Sequence, residues 1–442
     1  MPASPFDSEI YRHLLHDAEV GKLFSDSAEV RAMLLVEGAL AKTQGKLGII
    51  PEESGEFIHR ASLELQIDPG GLATETGRSA VPVPALVQAF RKAMDAPEHA
   101  QFVHWGATSQ DIMDTGLVLR LRQVLTILDA RLVALIRALG LLAGRHAHLV
   151  MPARTWGQTA TPTTFGAVVT SWGQPLLRHR LRLLELKPRL LQISLSGAAG
   201  TLSVIGDKGP ELTEQLARAL GLEKADGSWH SQRDTLAELS GWMTNLTCSL
   251  GKMGEDLLLL THSQIGEVTL ETGGGSSTMP QKSNPVLPSL LVTLSRHILA
   301  LNGAMHGAVL HREQRDGAAW MLEWLNLPQI CMCCARALSA AQEISPALRP
   351  NPDRMAAHLN DGTDQIYAES LSFSLSRVMP RPDAQKAVKE LCRQAKLEAH
   401  PLRQLAKARW PELDLTAVFS PELQLGRAPE NAENFARTAK TI

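Results

Sequence analysis

Between Thr272 and Pro285 the chain reads TGGGSSTMPQKSNP, the stretch whose residue types and spacing carry the most chemistry. Three glycines give a mobile backbone, Ser276 and Ser277 supply hydroxyls, and Lys282 and Asn284 follow at fixed distance. A phosphate-cradling loop is excluded, because that motif needs Gly directly before its Lys, and Gln281 stands there. A plain flexible linker would need neither Met279-Pro280 nor the Lys-x-Asn pair. Polar blocks with His, Thr, Ser, Gln and Arg recur at 104–115 (HWGATSQDIMDT), 154–166 (RTWGQTATPTTFG) and 314–324 (QRDGAAWMLEW). Alone, a Ser in such a loop is a turn residue and an Arg a solvated charge. Cys331, Cys333 and Cys334 place an extra thiol inside a C-x-x-C, but Cys248 and Cys392 stand far away, so ligand spacing for a metal is missing. Their segment, ICMCCARALSAAQEI, reads as one apolar helix in which free Cys acts as a small hydrophobe.

The elements that must position these blocks are helical. Leu236, Leu239, Met243, Leu246, Leu250, Met253, Leu257 and Leu260 alternate steps of three and four, a heptad seam on one long helix. A second seam runs through Leu291, Leu294, Ile298, Leu301, Met305 and Ala308, and a third from Leu117 through Leu121, Val124, Leu128, Leu132, Leu135 and Leu139 to Leu142. Narrow stripes on long helices require partner helices, and predict an all-α bundle. Breakers around Pro69–Pro97 and at Arg349-Pro350-Asn351-Pro352 divide the chain into a helical N-terminal domain (1–112), a central bundle (113–355) and a C-terminal helical domain (356–442). The last twenty residues are expected to be partly loose.

Lys plus Arg (44) nearly balance Asp plus Glu (46), so no long-range field favours nucleic acid or an anionic membrane. An anionic substrate must therefore be gripped by a local cluster of donors. No N-terminal apolar stretch suggests a signal peptide, and the longest aliphatic runs, such as Leu257–Leu260, fall far short of a membrane span. The expected location is cytoplasmic.

Residues 272–285 match the superfamily signature GSSxMPxKxNP at every specified position; 104–115 resemble HxGxTSxDxxDT, and 154–166 resemble RTHxQxAxPTTFG. With smaller echoes at SGAAGTL (196–202), WHSQRD (229–234) and QRDGAAWMLEW, the chain resembles the fumarase/aspartase superfamily end to end, and within it the cycloisomerase branch. That resemblance implies a three-domain all-α fold with a long central bundle, a cofactor-free and metal-free enzyme, a small polycarboxylate substrate, and a homotetramer with shared active sites. It makes Ser276 the base toward a proton alpha to a carboxylate, with Lys282 and Asn284 on the substrate carboxylate. Thr108, Ser109, Thr155 and Gln158 correspond to further donors, and Arg315 to a guanidinium gripping an anionic group. His104 either binds the carboxylate or satisfies a helix end; His230 and Gln232 carry weaker signals.

Two departures are informative. Where most members place a His in RTHxQ, this chain has Trp156, and seven residues beyond Lys282, in place of its Glu partner, stands Ser289. Hydroxide, whose conjugate acid has a pKa of about 15.7, leaves poorly without that acid pair. A carboxylate, with a conjugate acid of pKa about 4, needs no such help. As an internal nucleophile it is already ionised and tethered. The expected reaction is therefore lactonisation of 3-carboxy-cis,cis-muconate, with Trp156 excluding water and shaping the pocket. An adenylosuccinate- or argininosuccinate-type lyase and a silent structural homologue are the alternatives.

Overall fold

All three seams form helices in the computed structural model, which describes residues 4–271, 274–275 and 278–442. Every seam residue from Leu236 to Leu260 is buried on the helix Asp234–Leu260. The Leu117 seam lies on Ser109–Arg145, with Leu117 itself half-buried, and the Leu291 seam on Val286–Gly307, with Leu301 half-buried and Ala308 just past its end. At about 1.5–3 kcal/mol for each fully buried Leu or Met, these stripes dominate the stability of their helices. Strands are confined, among the described residues, to three two-stranded ribbons: β1 (Val150–Thr155) with β2 (Gln158–Thr164), β3 (Val268–Leu270) with β6 (Leu348–Pro350), and β4 (Gly274–Gly275) with β5 (Ser283–Asn284).

By their contacts the residues divide into two units that interleave along the chain. The first comprises Met1–Arg131, His179–Cys248 and Thr293–Leu338. Its core gathers Met33, Leu34 and Leu40 of helix Asp26–Lys46 with Ile58, Leu86 and Phe90 of neighbouring helices. Cys331, Cys333 and Cys334 lie wholly buried on the helix Gly317–Ala347, as their apolar context requires. Burial pushes the Cys333 and Cys334 thiols up to about 12 and that of Cys331 well above its usual value.

The second unit comprises Leu132–Arg178, Ser249–Val292 and Ser339–Ile442. A C-terminal cluster packs Leu359, Tyr367, Leu371, Leu375, Val388 and Leu402 together. Here the expectation of a loose tail is corrected. Residues Ala428–Lys440 form a helix that buries Ala432, Phe435 and Ala439. The Phe435 ring occupies the space above Gly173, where an added Cβ would lie 2.0 Å from it, so only glycine admits this contact.

By length and composition the helix Val286–Gly307 could cross a membrane, with a mean hydropathy of 1.2 over its most apolar stretch. Its apolar residues extend beyond the seam: Leu299 is 54% exposed and Val286 38%. The core helix of a folded protein passes the same test.

Candidate active site

The first motif block sits where the helix Ser109–Arg145 begins, and its residues explain the start of that helix. Thr108 precedes the first turn, and its backbone N–H donates to Asp111 Oδ2 at 3.0 Å, the reciprocal half of a capping box. Asp111 is fully buried and does more than cap. It accepts from the backbone N–H groups of Ser196 (2.8 Å) and Gly197 (2.9 Å), from the Ser194 hydroxyl (3.3 Å), and pairs with His230 Nε2 at 2.8 Å. One carboxylate thus fixes the helix start, the SGAAG loop and His230 together.

Gln110 completes the arrangement. Its amide N–H donates to the His230 carbonyl at 2.9 Å, and its carbonyl accepts from Arg315 Nε at 2.7 Å. Arg315 also donates to the Ala198 carbonyl at 3.3 Å, so its guanidinium is held between two motif blocks. Deeper in the same unit, Arg233 forks onto Asp114 (2.7 and 3.0 Å) and Glu323 (2.7 and 2.6 Å), all three side chains being almost entirely buried. Removing one member of such a triad costs about 3–5 kcal/mol, because the others are left as buried unpaired charges. It ties the second turn of the Ser109 helix to the helix that follows Arg315.

His104 adopts a left-handed backbone, φ 65°. Its Nδ1 lies 2.7 Å from Oε1 of the buried Glu37. Burial works against its charged form, but the Glu37 carboxylate outweighs that and holds the imidazole pKa above its ordinary value of 6.5. Of the eight non-glycine residues with positive φ among those described, His104, Trp156, Leu202 and Glu313 fall within or beside the motif blocks. Strain at about 1–3 kcal/mol per residue persists where surrounding contacts enforce it, and it concentrates at functional sites.

The other candidates lie in the second unit. Thr155, Trp156 and Gln158 occupy the exposed tip of the β1–β2 hairpin, where Trp156 (φ 53°) and Gly157 (φ 73°) make the two-residue turn. Both turn residues having positive φ defines a type I′ turn, which favours Asn or Gly, so Trp156 is held there at a cost. Next to the tip, Arg154 anchors the hairpin by forking onto the buried Glu267 at 2.7 and 2.6 Å; His358 Nδ1 reaches the same carboxylate at 2.6 Å. In this chain the Trp156 indole is fully exposed and encloses no pocket. The β4–β5 ribbon pairs Gly274 with Asn284 and Gly275 with Ser283, holding the two ends of the signature side by side. Lys282 is exposed beside it and Asn284 half-buried. Ser276 lies outside the described residues.

The structure therefore places His104, Thr108, Ser109 and Arg315 in the first unit, with Arg315 hydrogen-bonded to Gln110, the residue after Ser109, and places Thr155, Trp156, Gln158, Lys282 and Asn284 on or beside two ribbons of the other unit. Sequence reasoning missed Gln110, Asp111 and Glu37 as positioning groups. Asp111 had a signal, since it is a specified position of HxGxTSxDxxDT; Glu37 had none. Gln232 is exposed, while the neighbouring His230 is buried against Asp111.

The profile of the lyase family matches residues 20–299, and the chain belongs to that family, within the fumarase/aspartase superfamily. It is 37% identical over 427 residues to the 3-carboxy-cis,cis-muconate cycloisomerase of Pseudomonas aeruginosa, covering 93% of this chain and 92% of that one. Against the enzyme of the same name from Acinetobacter baylyi it is 32% identical, covering 98% and 99%. The crystal structure of 3-carboxy-cis,cis-muconate lactonizing enzyme from Pseudomonas putida superposes with a TM-score of 0.91 at 32% identity, covering 98% of this chain and 99% of that one. The expected all-α fold and enzyme class are thereby established.

Proposed function

We propose that this chain lactonises 3-carboxy-cis,cis-muconate to 4-carboxymuconolactone, a step in protocatechuate breakdown. The observation that carries the reading is a pairing. An anion-gripping end is retained, with Arg315 held by Gln110 at 2.7 Å, while Trp156 and Ser289 stand where other members keep their acid pair. A carboxylate oxygen of the substrate adds to the neighbouring alkene carbon and closes the ring. The displaced electron pair collects on the adjacent carbon, alpha to a second carboxylate, and takes the hydroxyl proton of Ser276. The resulting alkoxide recovers a proton from solvent. Lys282, Asn284 and Arg315 bind the substrate's carboxylates; Thr108, Ser109, Thr155 and Gln158 donate to the developing aci-carboxylate. His104 binds the remaining anionic edge, its charge sustained by Glu37. A lyase expelling a neutral amine would need the acid that Trp156 replaces.

The working enzyme on this reading is a cofactor-free cytoplasmic homotetramer in which Trp156, exposed in the single chain, walls a site shared between subunits. Supporting the assembly, Leu141, Leu181, Leu299 and Leu325 on four long helices are each more than half exposed. The test is a spectrophotometric panel in which purified protein is offered the tricarboxylate diene, adenylosuccinate and argininosuccinate. Loss of diene absorbance alone supports the proposal; turnover of either succinate adduct without the diene overturns it.

A further inference from the structure

The first unit contains a cavity of about 600 Å³ that none of His104, Thr108, Ser109, Gln110 or Arg315 lines. Its walls include Phe24, Met33 and Leu117, and the indoles of Trp320 and Trp324, which meet edge to face at 4.9 Å. Into this apolar setting the chain places Arg120, only 8% exposed. Its partners fall short of what a buried guanidinium with five N–H groups requires. The Leu23 carbonyl is 3.5 Å away and Glu29 Oε2 3.6 Å, the Phe24 ring centroid lies at 5.8 Å, and the buried Nε has no hydrogen-bond partner among the described residues. Desolvation accordingly pulls the Arg120 pKa below its ordinary value, with Glu29 only partly opposing. Leaving a charge in that condition is expensive unless something else satisfies it.

The charges around the cavity limit what that something is. Asp114 and Glu323 also line it, but both are consumed by Arg233. Asp26 and Glu29 line it as well, Glu29 at 3.6 Å from Arg120 being too distant to neutralise it fully, and together they would repel a second or third negative charge on a ligand. We infer that this cavity binds a small aromatic monocarboxylate, with its carboxylate on Arg120 and its ring against Trp320 and Trp324. An offset or edge-to-face ring contact with an indole and a charge-assisted hydrogen bond to the guanidinium are the two interactions the walls provide. The single charge separates this ligand from the trianionic substrate, and the binding is independent of the proposed lactonisation.

Calorimetric titration of the whole protein with benzoate and 2-naphthoate tests it, with benzyl alcohol and benzene-1,3,5-tricarboxylate as controls. Both monocarboxylates are expected to bind saturably and quench tryptophan fluorescence, and neither control to do so. Arg120→Met should weaken binding at least tenfold. Gly77→Phe provides a second variant that preserves the guanidinium. Gly77 lines the cavity and an added Cβ there meets nothing within 4 Å, so the backbone admits a side chain, and a phenyl ring turned into the cavity should abolish binding while lactonisation persists. Equal binding of benzyl alcohol, or full binding in Gly77→Phe, overturns the inference whether or not Arg120→Met folds. So does loss of benzoate binding in Arg315→Met together with competition by the tricarboxylate, which would put the ring acid in the substrate site. Absence of any saturable binding to the wild-type protein overturns it outright.

Discussion

Asp111→Asn changes one atom of a buried side chain, and the structure fixes what should follow. The carboxylate receives three backbone N–H groups, from Thr108, Ser196 and Gly197 at 2.8–3.0 Å, and pairs with His230 at 2.8 Å. Hydrogen bonds to a charged acceptor contribute about 1.5–3 kcal/mol each. The amide keeps one accepting oxygen and turns an NH₂ toward donors on the other side, so about two of these bonds are lost. A destabilisation of about 3–6 kcal/mol is expected, a large share of the roughly 5–15 kcal/mol typical of a folded protein. Activity should fall too. His230, Gln110, the SGAAG loop and Arg315 form one hydrogen-bonded chain from Asp111, and a misplacement of about 1 Å costs on the order of a hundredfold in rate. Urea unfolding and kcat/KM on the tricarboxylate diene, measured at a temperature where the variant remains folded, report both effects. A variant with the wild-type midpoint and efficiency would refute the reasoning, because the carboxylate would then not organise the assembly.

Other consequences follow from single groups. Lys282→Met and Arg315→Met should each cost about 2–5 kcal/mol in kcat/KM by stranding a substrate carboxylate, and unchanged kinetics in both would place the site elsewhere. Mixing Ser276→Ala with Thr108→Ala protein through denaturation and refolding should recover partial activity if subunits share sites; a reassembled but dead tetramer counts against sharing. The raised His104 pKa links stability to pH: the Glu37 pairing contributes fully below the unfolded value of about 6.5 and is lost as pH rises through the higher folded value. Denaturation midpoints should therefore decline over that window in the wild type but not in Glu37→Gln; identical profiles would remove the pairing from the account. Cys331, Cys333 and Cys334 should resist thiol reagents at pH 8 in the native protein and react once it unfolds, and rapid native labelling of any of the three would contradict their burial.

The seams were legible because a three-four alternation over seven turns has one simple structural solution, a long helix burying one stripe. The C-terminal helix was not, although Ala432, Phe435 and Ala439 already show helical spacing. Its sequence is polar enough to read as loose, and what orders it is a complementary notch at Gly173, invisible from either segment alone. The candidate site divides in the same way. Residue types announced Arg315, Lys282 and Asn284, but Asp111 acts through partners 83 to 119 positions away, and Glu37 reaches His104 across 67. Local pattern carries no record of such pairings. Trp156 was legible as a departure from the family motif; its strained, exposed place at a hairpin tip was not.

The central claim is that the substrate's own carboxylate, with no water and no acid pair at Trp156 and Ser289, closes the ring. Turnover of 3-carboxy-cis,cis-muconate in oxygen-18 water, with the lactone analysed by mass spectrometry, tests it most directly. The expected product carries no solvent oxygen. A lactone or hydroxy acid containing one oxygen-18 atom, formed at the rate of turnover, would contradict the claim and make the enzyme a hydratase.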